Sequence, residues 1–279
     1  MLKIHDYLKD REEVAFAFLF GSAARGEMHS ESDIDIGIYF VPEVDELEYE
    51  SAREYQNEDQ IWNDLERIVS RKTDMVVLNR APIGLLYSVL QNGQKIFVRD
   101  ERMLRRLWLM AGSAAEDFRE FVKDFVNIRA RSKSLSEIDK ERLLKAVVFL
   151  EQEMHDFEKF EKISQSEYQS DISTKRNMER WAENIVNVSI DMAKIILASE
   201  KRQIPETYRL ILQNLGGVKN FSQHVADNLA SYSKMRNLLA HEYLDIRFSQ
   251  LSKFVKEAYS AYQYLVDFTK KFLEASDAR

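Results

Sequence analysis

Gly21-Ser-Ala-Ala-Arg-Gly-Glu-Met-His-Ser-Glu-Ser-Asp-Ile-Asp35 is the stretch that decides the fold. Two apolar runs flank it: residues 14–20 lead into it, and residues 34–41 begin inside its paired aspartates. Short apolar runs bounded by turn residues are typical of buried strands. We therefore predict a strand, a tight turn at Gly21 and Ser22, and a second strand.

The residue types in this stretch favour an anion bound beside a metal ion. Small residues at positions 21–24 let backbone N–H groups approach an anion closely. Asp33 and Asp35 are one residue apart, so on a strand their carboxylates point the same way and can hold Mg²⁺. Asp-x-Asp pairs on solvated strands and Gly-Ser turns are each common without any such role. The prediction of a nucleotide site therefore depends on their joint occurrence.

Gly-Ser followed after ten residues by Asp-x-Asp resembles the signature of the DNA polymerase β-like nucleotidyltransferases. The short domain around it resembles their minimal branch. Sites of that family use a third carboxylate from a later strand, and Asp74 stands at the start of an apolar run that ends at Leu78. The resemblance implies that Mg²⁺ is held by Asp33, Asp35 and Asp74.

The same resemblance implies ATP as the substrate. Its triphosphate would be bound by Gly21, Ser22 and Arg25 with the neighbouring backbone, and an attacking hydroxyl would displace pyrophosphate. Aminoglycoside nucleotidyltransferases also pair such a domain with a helical bundle that binds a small acceptor, so a small-molecule acceptor is the alternative. A non-enzymatic, dimerising bundle that sequesters a partner is a third interpretation.

Composition limits the other classes of protein. A chain of 279 residues suggests about two domains, and 45% hydrophobic residues are ample for packed cores. The absence of cysteine excludes disulfides, thiolate catalysis and cysteine-based zinc sites, so a metal should be oxygen-ligated. The net charge of −7 argues against a broad basic face, and we expect no DNA partner. No apolar run approaches the roughly 18 residues of a bilayer span, so we expect a cytoplasmic protein without a membrane partner.

Two kinds of pattern divide the chain. In the first hundred residues, helices alternate with apolar strand-like runs, of which 94–98 reads as an edge strand. From Glu101 onward the pattern is one of long amphipathic helices. We predict an α+β protein in which a small sheet with flanking helices precedes an all-α antiparallel bundle. The serine-rich interval 129–136 places the boundary, giving domains 1–132 and 133–279.

The bundle is predicted to contain five helices, at about 136–162, 173–199, 205–215, 221–240 and 249–273. Ser134 and Glu137 have the spacing of a capping box that opens the first of these. That helix is predicted to bury Leu143 and Leu144. Pro205 stands near the start of the third helix, as is common for proline.

A second informative stretch runs from Met235 to Ile246 and contains Arg236, His241 and Tyr243. On an uninterrupted helix His241 would lie about 140° from Arg236, so we predict that the helix ends or bends near His241. An imidazole, a guanidinium and a phenol could then converge on a phosphate. The alternative is a capped helix end in which His241 satisfies terminal carbonyls and Arg236 makes a surface ion pair.

Arginine, four residues, histidine, one residue and tyrosine is similar to the motif of HepT-type toxins, which are ribonucleases of the HEPN helical-bundle superfamily. The similarity extends over about 135–275. Such toxins are usually encoded beside a minimal nucleotidyltransferase antitoxin, MntA, so this chain resembles both partners joined.

The resemblance implies a division of labour. His241 would act as acid and base, and Arg236 would stabilise the phosphate during metal-independent RNA cleavage in a groove between two subunits of a homodimer. Antitoxins of this type transfer AMP onto the tyrosine of the motif, which maps to Tyr243. The adenylylated tyrosine would then block RNA.

Overall fold

The computed structural model describes residues 2–27, 33–42, 47–241 and 248–277. The chain divides into two compact units, residues 1–118 and 119–279. Within the described residues, no helix has both the length and the apolar character that crossing a membrane requires. The predicted boundary at 132/133 lies beyond this division, just past the end of a long helix that begins in the first unit and ends in the second. The boundary stays a prediction.

The first unit alternates strands and helices as predicted. Its strands are β1 (Val14–Phe20), β2 (Ile34–Phe40), β3 (Thr73–Val77) and β4 (Gln94–Val98). Its helices are α1 (Leu2–Lys9), α2 (Gly21–Arg25), α3 (Glu58–Val69), α4 (Ile83–Asn92) and the beginning of α5 (Glu101–Arg131).

The four strands form one mixed sheet in the order β3-β2-β1-β4. β1 pairs antiparallel with β2 and with β4, whereas β2 pairs parallel with β3. β4 is therefore the edge strand that its sequence predicts. The parallel pairing requires a crossover connection, and α3 lies within it. This crossover brings the starts of β2 and β3 to the same end of the sheet.

Apolar cores cover both faces of the sheet, which explains why β1 is apolar along its whole length. On one face the cluster includes Ile4 of α1 and Ile61 and Leu65 of α3. On the other it includes Leu86 of α4 and Leu107 of α5. The sheet is thus anchored by helices on either side, and its strand ends project from a rigid layer.

The second unit is helical throughout its described part, and the predicted α+β fold class is confirmed. After α5 come α6 (Glu137–Met154), α7 (Phe157–Glu161), α8 (Gln165–Ser170), α9 (Ile172–Ser199) and α10 (Tyr208–Gln213). A 3₁₀ turn (Asn214–Gly217) precedes the last two helices, α11 (Gln223–His241) and α12 (Phe248–Asp277).

The predicted helix 136–162 is interrupted, so that prediction was wrong in extent. α6 ends at Met154 because the indole Nε1 of Trp181 donates to the carbonyl oxygen of Glu153 at 2.8 Å. In a continuous helix that carbonyl would accept from the N–H four residues on. The amide of Asp156 bonds to it instead at 3.1 Å in a tighter turn, and α7 starts afresh.

Three finer predictions were also wrong. The N-cap of α6 is Ser136, whose Oγ accepts from the amide of Asp139 at 3.2 Å, and not Ser134 with Glu137. Leu144 is 54% exposed, because the buried stripe runs through its neighbour Leu143. The predicted helix 205–215 begins only at Tyr208, where Thr207 supplies the N-cap.

Candidate functional site

The sheet places two of the predicted carboxylates side by side. Asp35 and Asp74 are direct partners in the parallel register of β2 and β3. Their strands are joined at this end by the amide of Ile34, which donates to the carbonyl oxygen of Lys72 at 3.1 Å. Asp33 precedes β2 by one residue. The crossover through α3 therefore assembles an acidic end of the sheet from residues some forty positions apart in sequence.

Gly21 makes room for Asp35. The predicted turn at Gly21 and Ser22 is instead the short helix α2, and Gly21 opens it with a φ of +66°, a conformation that favours glycine. A Cβ added at this position would lie 1.9 Å from Oδ2 of Asp35. Sequence reasoning assigned Gly21 only to anion approach. The structure adds that any larger residue would displace the Asp35 carboxylate.

α2 is held to the sheet from the far side by Gln94. This residue opens β4, and its Nε2 donates to the carbonyl oxygen of Ala24 at 2.7 Å. The sequence gave no signal for this contact, because it depends on the antiparallel pairing of β4 with β1. It fixes α2 against the edge strand and hence the backbone beside Asp35.

The electrostatics of Asp35 indicate a site deficient in positive charge. Partial burial raises the pKa of Asp35 above its ordinary value, and the negative charges of Asp74 and Asp33 raise it further. Arg25 acts in the opposite direction and is the one cation among these causes. A bound cation would favour the ionised carboxylates.

Asp33 is engaged elsewhere. Its Oδ2 accepts from the ammonium of Lys72 at 2.9 Å. Among the described residues, no three acidic or histidine side chains are grouped closely enough to hold a metal ion. For Asp33 to bind the same metal ion as Asp35 and Asp74, its carboxylate would have to release Lys72. Sequence reasoning missed Lys72, although it directly precedes the strand that carries Asp74.

These residues fit a divalent cation in their chemistry. Carboxylate oxygens are the ligands that Mg²⁺ prefers, and the glycine at position 21 leaves the space that the Asp35 carboxylate fills. The two predicted nucleotide-binding side chains lie nearby in sequence on α2. Arg25 is largely exposed and its Nε donates to Glu27 at 2.8 Å, while Ser22 is partly exposed. Their role in binding a nucleotide stays a prediction.

The second candidate site lies in the helical unit. α11 is helical up to His241, the last described residue before 248, and the predicted end or bend near His241 stays a prediction. Arg236 lies on α11 and is only 9% exposed, so the alternative of a surface ion pair is wrong. The side chain of His241 and all of Tyr243 lie outside the described residues. Their convergence with Arg236 is therefore still a prediction.

Arg236 stacks on an aromatic side chain that sequence reasoning did not single out. Its Cζ lies over the ring of Tyr208, 4.1 Å from the ring centroid. Tyr208 is the first residue of α10 and is buried. Nothing in the local sequence points to this contact, because it depends on how α10 packs on α11.

Comparison with known families matches each unit separately. Residues 2–102 match the family described as polymerase beta, nucleotidyltransferase, and residues 150–270 match the family described as ribonuclease HepT-like. The chain joins a nucleotidyltransferase domain to a HepT-like domain. The Gly-Ser turn and the three aspartates lie within the first matched range, and Arg236, His241 and Tyr243 lie within the second.

A curated relative and two solved structures are similar to parts of the chain. "Putative protein adenylyltransferase MJ1379" of Methanocaldococcus jannaschii is 44% identical over 69 residues, which are 25% of this chain and 62% of that relative. The chain therefore spans less than two thirds of this relative's length. A crystal structure of a toxin–antitoxin with AMP-PNP is similar with a TM-score of 0.38 and 19% sequence identity. A crystal structure of a mutant of the toxin–antitoxin MntA-HpeT is similar with a TM-score of 0.37 and 16% sequence identity. Each covers 45% of this chain and 94% of the solved chain.

Proposed function

We propose that the nucleotidyltransferase domain transfers AMP from ATP onto Tyr243 of the HepT-like domain, and that this modification silences an RNase activity of that domain. The proposal rests on one observation. Asp35 lies against Gly21 and is the direct strand partner of Asp74, in a domain matched by the nucleotidyltransferase family. The name of the archaeal relative supports an adenylyl group as the one transferred.

In the proposed transfer, the phenol oxygen of Tyr243 bonds to the α-phosphorus of ATP. The bond from that phosphorus to the bridging oxygen breaks, and pyrophosphate leaves. The phenolic proton passes to an aspartate of the acidic end. A phenol has a pKa near 10 and is a poor nucleophile until deprotonated, so the carboxylate is needed as well as the binding site.

Asp33, Asp35 and Asp74 are the residues that would hold Mg²⁺. Bound there, Mg²⁺ would neutralise the charge on the phosphates during transfer. Gly21 and Gln94 keep the Asp35 carboxylate and α2 in place, while Ser22 and Arg25 offer a hydroxyl and a guanidinium to the triphosphate. Each of these side chains belongs to the first unit.

In the HepT-like domain, Arg236 would contact the scissile phosphate of RNA and His241 would move protons. AMP on Tyr243, two residues from His241, would add bulk and negative charge beside that phosphate site. RNA would then be repelled electrostatically and blocked sterically. Under this proposal, the nucleotidyltransferase domain silences the RNase activity of the HepT-like domain.

The experiment is intact-mass and peptide-mass analysis of the purified chain after incubation with ATP and Mg²⁺. We expect AMP on the peptide containing Tyr243, and none after the double change Asp33→Asn and Asp35→Asn. Tyr243→Phe should also lose the label, remain folded, and become toxic on expression unless His241→Ala is added.

Tyr259→Phe is a matched control, since Tyr259 is a half-exposed tyrosine of α12 in the same domain. It should keep the full label. AMP on another residue, or undiminished labelling of the double aspartate variant, would overturn the proposal. Transfer of AMP to an added aminoglycoside, with the protein itself unlabelled, would favour a small-molecule acceptor instead.

A further inference from the structure

Arg236 is fixed from one side by an aromatic ring. Its guanidinium carbon lies 4.1 Å from the centroid of the Tyr208 ring, well inside the roughly 6 Å range of a cation–π contact. Both side chains are buried, with exposures of 9% for Arg236 and 4% for Tyr208. Burial strengthens such a contact because water no longer competes for the cation.

Tyr208 is itself held in place. The Oγ1 of Thr207 accepts from the amide of Leu210 at 3.1 Å and so fixes the first turn of α10, in which Tyr208 lies. The edge of the Tyr208 ring meets Phe121 of α5 at 5.3 Å and an interplanar angle of 84°. This edge-to-face geometry is favourable for aromatic pairs and restricts the tilt of the ring.

A partly buried ionic network supports Phe121 in turn. Nζ of Lys194 lies 4.9 Å from the Phe121 ring centroid and pairs with Asp124 at 2.9 Å. Asp124 also accepts from Arg142 at 2.6 Å. Burial opposes ionisation of Asp124, but the bonds from Arg142 and Lys194 outweigh it and hold its pKa below the ordinary value.

The contacts form a continuous series from α6 through α9, α5 and α10 to α11. It ends at Arg236, five residues before the last residue of α11. A planar guanidinium binds phosphate best through two parallel N–H bonds, which requires a defined orientation of its plane. Long arginine side chains lose much rotamer freedom when they bind, unless they are already ordered.

We propose that Tyr208 is a positioning residue that pre-orients Arg236 for the phosphate of RNA, a role that rests on the RNase function proposed above. Tyr208 does not contact the substrate. It acts through Arg236, so removal of its ring should lower the rate of cleavage through loss of an ordered guanidinium. The hydroxyl group of Tyr208 is not needed for this role, and phenylalanine should replace it.

The test combines NMR of the arginine side chains with RNA cleavage. Protons above an aromatic face are shifted upfield by the ring current, so the Nε–H signal of Arg236, assigned by its absence in Arg236→Lys, reports the stack directly. We expect this shift in the wild-type chain and in Tyr208→Phe, and its loss in Tyr208→Leu. In the same series, made together with Asp33→Asn and Asp35→Asn so that no AMP is transferred to Tyr243, kcat on a labelled RNA should fall at least tenfold in Tyr208→Leu and stay within twofold in Tyr208→Phe.

Phe221→Leu is the control for a general loss of packing. Phe221 is a buried ring of the same domain and packs on Tyr264 and Phe268. It should lower the melting temperature as Tyr208→Leu does, yet keep the upfield signal and the rate. An unchanged Arg236 signal in Tyr208→Leu, or equal loss of rate in both leucine variants, would overturn the proposal. If the Asp33→Asn, Asp35→Asn chain carries no AMP and is still inactive on RNA, while its Arg236 signal depends on Tyr208, the RNase function would be overturned and the positioning supported.

Discussion

At the acidic end of the sheet, single residues carry charges that their surroundings disfavour. Asp35 lies against Gly21 and beside Asp74, where its charge is opposed by burial and by its neighbours. Functional sites often retain such unfavourable charges, because a cation or substrate relieves them. The charge of Asp33 is compensated by its ion pair with Lys72.

The pKa of Asp35 gives a prediction with a definite sign. Because this pKa is raised in the folded state, the folded state binds more protons than the unfolded one, and ionised Asp35 lowers the free energy of unfolding at neutral pH. Asp35→Asn should therefore raise the melting temperature at pH 7 without metal, because the variant has no charge to be opposed by burial, Asp74 and Asp33. The gain should disappear below about pH 4, where both states are protonated.

Thermal melts with EDTA and with Mg²⁺ check this prediction. Mg²⁺ should stabilise the wild-type chain and have little effect on Asp35→Asn, because the variant lacks one ligand charge. Asparagine has nearly the same shape as aspartate, so the packing of this side chain against Gly21 should be the same in both chains. A lower melting temperature of the variant at pH 7, or equal stabilisation of both chains by Mg²⁺, would contradict the assignment.

Helix ends depend on side chains that sequence patterns locate only approximately. Ser136 caps α6 and its hydroxyl also bonds to the carboxylate of Asp139 at 2.5 Å. Replacing an N-cap serine by alanine costs about 1 kcal/mol, so Ser136→Ala should lower the protection of the Asp139 amide roughly fivefold in hydrogen exchange. Ser134→Ala, two residues earlier and outside the cap, should change it little. Equal effects of the two variants would show that the cap assignment is wrong.

The regular elements could be predicted because their patterns are local. The strands that lead into and out of the Gly21 stretch are short, mostly apolar runs that can be recognised from their own residues. The break after Met154 depends on the indole of Trp181, 28 residues away from the carbonyl that it binds. Long-range hydrogen bonds of this kind leave no periodic trace in a sequence.

The same distinction applies to the candidate sites. Asp33, Asp35 and Asp74 could be found because carboxylates at strand ends have a recognisable spacing. The contacts that these carboxylates make, such as that of Asp33 with Lys72, follow from strand register. Tyr208 over Arg236 follows from helix packing. Sequence therefore indicated the groups for which we propose a chemical role, and the fold shows which residues contact them.

At the scale of the whole molecule, the proposed binding of RNA by an acidic chain would depend on a few local cations. With a net charge of −7, long-range attraction of a polyanion is unfavourable and is screened beyond about 8 Å at physiological salt. Loss of Arg236 should then remove a large share of the phosphate affinity. Adding the charge of AMP would strengthen the same repulsion.

The last prediction concerns the assembly that would cleave RNA. Each HepT-like domain carries one His241, whereas general acid–base cleavage of RNA uses one group to remove a proton and another to donate one. A two-fold dimer through the helical domain would supply both imidazoles in one groove. Light scattering at micromolar concentration should therefore give twice the mass of the chain.

Mixed dimers test whether the two copies share one site. Both chains carry Asp33→Asn and Asp35→Asn so that Tyr243 stays unmodified, and a dimer in which one of them also carries His241→Ala, isolated with two different affinity tags, should be nearly inactive if both imidazoles are needed. Independent sites predict half of the activity of the dimer with both imidazoles instead. Tyr259→Phe in one chain of an otherwise identical dimer controls for tagging and exchange. A monomeric mass with full RNase activity, or half activity in the mixed dimer, would contradict the shared site and leave each domain to supply its own acid and base.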